Sequence, residues 1–511
     1  MTEDSINKRY LYKLTTNAVG FIISLITAGI IPRALGVINY GNYNFVVKIL
    51  TQLINLLDMR TSVCFYTSLS KDNKDNALVT LYGRWALLIV CILFILITGI
   101  IIFPSSHNFL LPNQTILLIY CCFLFVVIQW LFERIADIMD AQGLTVFLEK
   151  QRMINRMGGC IIIVLLYYTD NLNLPTFFIY QYLMFLILII IFVAHLNKNK
   201  FKISLFLKLT NDYIKTMIRH FIDYSSPLAI YVIISFFVIL FERWILQVYG
   251  GSIEQGLYSF SDALSRYCLL FVTALIPVFT RELAIAVSKN DIPAMAQLFR
   301  HYVPMLYIIS VYFSCFIFSH ADVIVRIFGG EEYYKAVIPL KILAFAPLVL
   351  TYSSLNSAVV YAKGNTKIFL KIMIILAPLD IFLAYFLMAK LNLGAIGISV
   401  KNVFLEFVSV CVILHVNVKY LNLSYVKFMF HMVCSIIPFL VICLAVKYLL
   451  DIFCSTQIHF VVLFFINGII YTVLSLILIF IMPQLAGFNR DSLEQSMTKI
   501  FNRKNKTHGA R

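Results

Sequence analysis

Residues 36–45 read Gly36-Val-Ile-Asn-Tyr-Gly41-Asn-Tyr43-Asn-Phe45, and residues 251–260 read Gly251-Ser-Ile-Glu-Gln-Gly256-Leu-Tyr258-Ser-Phe260. Both follow the pattern G-x4-G-x-Y-x-F, 215 residues apart, and both lead into a long apolar run. A second pair, Ala141-Gln-Gly143-Leu-Thr145 and Ala362-Lys-Gly364-Asn-Thr366, shares A-x-G-x-T at a spacing of 221. Two pairs in the same order at nearly the same offset describe an internal duplication. The first pair falls where the chain must turn sharply between two apolar runs, and glycine is the residue that tolerates such corners.

The runs around these motifs set the fold class. Crossing a hydrocarbon core as helix takes roughly 18–20 apolar residues. Fourteen candidate spans of this kind lie near 12–32, 42–68, 83–103, 115–139, 154–169, 175–195, 220–246, 256–280, 298–319, 337–361, 366–389, 394–416, 426–448 and 458–483. Each copy of the repeat then holds six spans. An even number makes the copies parallel, related by an axis along the membrane normal. The expectation is an all-α polytopic membrane protein of about 14 transmembrane helices. Two parallel six-helix lobes, 1–196 and 220–416, would surround a central cavity open to one side at a time. A linker at 197–219 joins them, two extra C-terminal helices fill 417–483, and a basic tail runs from 484 to 511.

Composition supports this class. The 511 residues are 61% apolar and 13% charged. A water-soluble chain carries roughly 25% charged residues, so a soluble enzyme, a disordered chain and a disulfide scaffold are excluded. The 11 cysteines are scattered through apolar runs without a CxxC pair, and neighbours Cys121 and Cys122 make no zinc site alone. The first apolar run lacks an A-x-A cleavage site and reads as a first span rather than a signal peptide.

The net charge of +16 is a matter of topology. With the N-terminus in the cytoplasm, 29 of the 41 basic residues fall in inner segments and 5 in outer ones. That asymmetry is the positive-inside signature and puts both termini in the cytoplasm; nucleic acid is not needed as a partner. The linker interleaves Phe201, Ile203, Phe206, Leu207 and Leu209 with lysines, as expected of a segment lying on an anionic leaflet.

An ionisable group inside a span costs at least ~2.5 kcal/mol, so each needs a reason. Lys48, Thr51, Gln52, Asn55, Asp58 and Ser62 recur at steps of three and four on one face of the second span, which must line a cavity or pack on protein. Asp262, Ser265, Arg266 and Thr273 form the matching face of the eighth. Lys48 and Arg266 would place positive charge near mid-membrane, suited to a phosphate or pyrophosphate. An internal Arg266–Asp262 ion pair is the alternative. Asn55, Arg60 and Lys401 complete the expected substrate contacts. Arg60 is expected near the acids of the fourth span, and Glu133 and Asp137 are read as a gate or as plain helix-end pairs. Glu242-Arg243 reads as a snorkelling pair at a helix end. Asp380, Glu406 and Glu242 are candidates for coupling Na+ or H+. The nine histidines, such as His195, His301 and His415, are dispersed, no P-loop occurs, and outer loops are short. Neither a catalytic cluster nor a bound cofactor or metal is expected.

Further motifs carry a resemblance. They are Asn17-x-x-Gly20, Pro32-Arg-Ala-Leu-Gly36, Tyr40-Gly-x-Tyr43-x-Phe45, Tyr66-Thr-Ser68, Ile327-Phe-Gly-Gly-Glu-Glu-Tyr-Tyr-Lys-Ala336, Ala362-Lys-Gly-Asn-Thr-Lys367 and Leu393-Gly-Ala-Ile-Gly397. In this order they resemble the polysaccharide flippases, the Wzx-type O-antigen transporters of the multidrug/oligosaccharidyl-lipid/polysaccharide (MOP) exporter superfamily. The resemblance implies movement of undecaprenyl-pyrophosphate-linked oligosaccharide for O-antigen, lipopolysaccharide, capsule or exopolysaccharide from the inner to the outer leaflet of the bacterial inner membrane. It also implies ion-gradient drive through a cationic cavity, with membrane lipids and a polysaccharide polymerase as partners. The competing readings are a multidrug exporter of the same superfamily, which usually relies on buried acids, and a membrane enzyme of glycan assembly.

Overall fold

The computed structural model describes residues 6–72, 75–198, 207–365, 367–454 and 459–487. The chain is helical, with no strand among the described residues. Among the described residues, eleven helical stretches are long and apolar enough to cross a membrane, which makes this a multi-pass membrane protein. Two of them, Tyr12–Asp58 and Leu228–Arg266, have 47 and 39 residues. Straight helices of that length would run about 60–70 Å, twice a bilayer core of roughly 30 Å. They do not run straight. Each bends at the first glycine of the repeated motif, at Gly36 (φ 71°) and Gly251 (φ 67°). The second motif pair behaves alike. Gly143 (φ 77°) and Gly364 (φ 70°) each end a helix, and the next amide closes back on the carbonyl five residues earlier, Leu144 on Met139 and Asn365 on Val360. That is the glycine-terminated helix end with a 6→1 bond. Thr366 and residues 199–206 of the linker, with Phe201, Ile203 and Phe206, lie outside the described residues, as does the tail beyond 487.

The chain divides into two compact units, residues 1–260 with 373–398, and residues 261–372 with 399–511. In the first, the rest of the motif becomes intelligible. Tyr43 packs edge-on against Phe177 and Phe178, accepts a 2.9 Å hydrogen bond from Gln181, and stands over a core that includes Phe45. Tyr258 and Phe260 are buried in the same way. The second glycines have a different task. A Cβ on Gly41 would strike the carbonyl of Ser252 and stand 2.8 Å from the Gly256 nitrogen, and one on Gly256 would strike the carbonyl of Val37. The two copies of the motif touch backbone to backbone, held by Asn42, which meets Ser252 and accepts a 2.9 Å bond from Gln114. Small residues at helix crossings allow this approach in a membrane.

In the second unit, Ile292–Ser319 is packed against Leu269–Ser288, Ala346–Ala362 and Ile436–Cys454. Polar groups face inward. Tyr307 donates to the Met432 carbonyl at 2.6 Å, Ser310 meets Thr351 at 2.6 Å, and Asn417 donates to Asn356. On Phe460–Ile481, Asn467, Tyr471 and Ser475 are buried, whereas Phe465, Ile469 and Leu476 are each more than 60% exposed. This inversion suits lipid, where apolar side chains gain nothing by facing inward and buried hydrogen bonds join helices.

Candidate functional site

The site begins at a break in the second expected span. The sequence reads as one helix over 42–68, but the chain stops at Asp58, takes left-handed conformations at Met59 (φ 43°) and Arg60 (φ 65°), and resumes as Thr61–Lys71. Broken helix in a membrane persists only where its freed backbone groups find partners. Asp58 supplies one, to the Ser62 amide, and ties three hydroxyls to the break. Its carboxylate, 5% exposed, accepts from the Ser62 amide (3.2 Å) and hydroxyl (2.6 Å), the Thr61 hydroxyl (2.8 Å) and the Tyr82 hydroxyl (3.1 Å). Trp85 donates its indole N–H to the Thr61 hydroxyl at 3.1 Å, locking the cap from outside. Periodicity did not foretell the break, because the polar residues keep helical spacing across it.

Beside the break lies a cavity of about 500 Å³ within the first unit. Its walls differ. One is mostly polar, with Gln52, Asn55, Asp58, Arg60, Ser62, Tyr66, Arg134 and Asp137 beside Leu56 and Val63; the other, on helix 211–250, is formed by Tyr231, Val232, Ser235, Phe236 and Ile239. The lining holds two acids and two bases, yet they are not equally available. Asp58 is committed to the cap, and Asp137 is paired with Arg134 at 3.0 Å. Arg60 is exposed and forms no ion pair with a described residue. The site therefore offers a guanidinium on a polar wall opposite an apolar one.

The expected residues are thus partly united. Asn55, Arg60 and Asp137 line one cavity. Arg60 does not pair with the acids of the fourth span, as expected, because Asp137 is taken by Arg134 one turn away and Asp140 accepts from Tyr66 and Thr145. Glu133 lies outside the lining, 3.8 Å from Arg152. Lys48 sits half-buried higher on the same helix. Glu242 and Arg243 do not snorkel. Both are buried, with Arg243 over the Tyr258 ring at 4.5 Å and within reach of Gln255 and Ser259. In the second unit, Arg266 binds Asp262 at 2.8 Å with half its side chain exposed, and Glu406 lies in the electrostatic field of both. Lys401 is 1% exposed in that unit, and Asp380 is half-buried in the first. Sequence reasoning places Arg134 among the basic residues inside spans without giving it a role, and it missed the apolar wall. The Arg134–Asp137 spacing of three was a usable signal, but nothing marked Tyr231 or Ser235.

No model of a known protein family matches the chain, and no curated protein matches it in sequence. Solved structures do match it in fold. One is the lipid II flippase MurJ in an inward closed conformation, at 14% identity and a TM-score of 0.62, covering 92% of this chain and 98% of that one. Another is an inward-facing multidrug resistance MATE family transporter of the MOP superfamily, at 13% and 0.56, covering 80% and 95%. A third is a MOP superfamily transporter from Pyrococcus furiosus whose description gives its binding pocket reverse polarity, at 12% and 0.53, covering 81% and 96%. At such identities the likeness is one of fold alone.

Proposed function

We propose that this protein is a lipid-linked glycan flippase of the inner membrane. It would carry undecaprenyl-pyrophosphate-linked oligosaccharide, the repeat unit of an O-antigen, capsule or exopolysaccharide, from the inner to the outer leaflet. The observation that carries the reading is the two-walled cavity, with Arg60 free of an ion-pair partner on the polar wall and Tyr231, Val232 and Phe236 opposite. Such a lining suits an amphiphile with an anionic head. A guanidinium binds a phosphate through two parallel N–H···O bonds, and the apolar wall receives the hydrocarbon next to it. An exporter of organic cations needs an acid open to its ligand, and both carboxylates in this lining are already engaged.

The proposal extends to parts named from the sequence. Lys48, Arg266 and Lys401 are proposed as further anion contacts, and Asp380, Glu406 and Glu242 as candidates for the group that couples Na+ or H+. Glu133 and Asp137 are proposed as gate residues. Fourteen crossings with both termini in the cytoplasm remain the proposed topology: the bends at Gly36 and Gly251 divide two of the eleven long stretches to give thirteen, and the helix Thr145–Tyr168 is proposed as the fourteenth.

The test is translocation in proteoliposomes. A short polyprenyl-pyrophosphate oligosaccharide with a fluorescent sugar is placed in the bilayer, and an external quencher reports its leaflet. Protein-dependent, ATP-independent flipping that falls at least about tenfold in Arg60→Ala is expected, in line with the ~1.5–3 kcal/mol of a charged hydrogen bond. Cation efflux without flipping overturns the reading, and full flipping by Arg60→Ala removes that residue's role.

A further inference from the structure

The second unit contains another cavity, of about 590 Å³, that shares no residue with the first. We propose that it binds the phosphate group of an anionic phospholipid in the cytoplasmic leaflet. Two cations define it. Arg300 comes from the helix Ile292–Ser319, and Lys427 from Tyr425–Cys434. Both are exposed, and neither forms an ion pair with a described residue. No acid lines the cavity among the described residues. Two cations without an ion-pair partner around an acid-free hollow give it a positive potential that suits an anion.

The rest of the lining shapes the ligand. Asn422, in a left-handed conformation (φ 53°), turns the chain into the helix that begins after Ser424. Ser424 lines the cavity too, and its side chain makes no capping bond, so it does not occupy the first-turn amides of that helix. Phe428 and Pro304 form an apolar floor. His431 also lines the cavity, with its ring Nε2 2.7 Å from the Leu485 carbonyl. From Lys427 the same helix carries Val426, Phe430 and Val433 on its outer face, each more than half exposed and spaced by four and three residues. A phosphate between Arg300 and Lys427 thus has an apolar track beside it for acyl chains, which a free phosphate does not use. The side is set by charge. Both cations belong to segments that the basic-residue bias assigns to the cytoplasm, where anionic headgroups attract Lys and Arg and basic pockets between helices bind them.

The experiment uses the full-length protein, purified in detergent and stripped of lipid, with bound lipid counted by native mass spectrometry. Short-chain phosphatidylglycerol, short-chain phosphatidylcholine and inorganic phosphate are titrated separately. Saturable phosphatidylglycerol binding that phosphatidylcholine does not match is expected. With each basic group worth about fivefold near an anionic headgroup, Arg300→Gln combined with Lys427→Gln weakens binding about 25-fold. Arg300→Lys with Lys427→Arg keeps it. Arg300→Gln alone, expected to cost about fivefold, serves if the double variant does not fold. Phosphatidylcholine binding equally well, unchanged phosphatidylglycerol affinity in the neutral variants, or inorganic phosphate competing as tightly as the lipid each overturns the proposal. Glycan flipping plays no part in the readout, so this outcome is separate from that of the flippase assay.

Discussion

Gly41→Ala is the sharpest perturbation this fold offers. The added methyl would lie on the Ser252 carbonyl oxygen, 2.8 Å from the Gly256 nitrogen and 2.9 Å from the Ser252 carbonyl carbon, where ordinary contact begins at 3.4 Å. All three neighbours are backbone, so no rotamer change relieves the clash. The two helices must separate instead. Overpacking of this kind costs about 1–3 kcal/mol. Separation also stretches the Asn42–Ser252 and Gln114–Asn42 hydrogen bonds, each worth about 0.5–1.5 kcal/mol net. We expect a total loss of about 2–6 kcal/mol. Gly99→Ala is the internal control, since a Cβ there meets nothing within 4 Å in the helix Asn76–Ile102. It should stabilise by about 0.4–1 kcal/mol through the unfolded chain. Unfolding of both variants in the same detergent, followed by a buried-cysteine thiol reagent, separates the two cases. If Gly41→Ala unfolds at the same point as the wild type, or moves together with Gly99→Ala, the motif is not a backbone contact and the argument for the duplication's packing fails.

Asp58→Ala should destabilise by about 2–4 kcal/mol, because the Ser62 amide and three hydroxyls lose their acceptor, whereas Ser62→Ala should cost about 1 kcal/mol; denaturant midpoints compare them. Glu254→Gln should cost about 1 kcal/mol, since the Glu254 carboxylate accepts the Ala395 amide at 2.6 Å at the start of a helix. Hydrogen exchange confined to 394–398 checks it, and unchanged protection there contradicts it. Asp322 lies outside the long spanning stretches; burial alone would lift its pKa, but the 2.8 Å bond and charge of Lys447 outweigh that and hold it below the usual carboxylate range. A depressed pKa stabilises above the ordinary value, near ~4, and that contribution disappears as pH falls through the folded value. Stability measured over roughly pH 3–6 should therefore drop at the acid end in the wild type and drop less in Lys447→Met.

The sequence by itself determined that this is a helical, multi-pass membrane protein, and it is the source of the proposed internal duplication. Run length and the shortage of charge settle the first point. The paired motifs carry the second as a proposal, and the structure puts a positive φ at Gly36 and Gly251 inside long helices and at Gly143 and Gly364 just past helix ends. Asn55, Arg60 and Asp137 were legible for a related reason, as polar groups that lipid does not tolerate on an outer face. What only the tertiary structure decided is which charge remains available. Asp58 and Arg60 read alike as polar residues on an apolar run, yet one is consumed by four donors at a helix break and the other is left facing a cavity. Arg134 outcompetes Arg60 for Asp137, Arg243 turns inward to Tyr258 and Ser259, and Arg266 binds Asp262. These outcomes depend on partners brought by other turns and other helices, as Tyr82 is to Asp58 and Tyr231 to the apolar wall. Periodicity along one helix carries no information about which side chain a neighbouring helix will present.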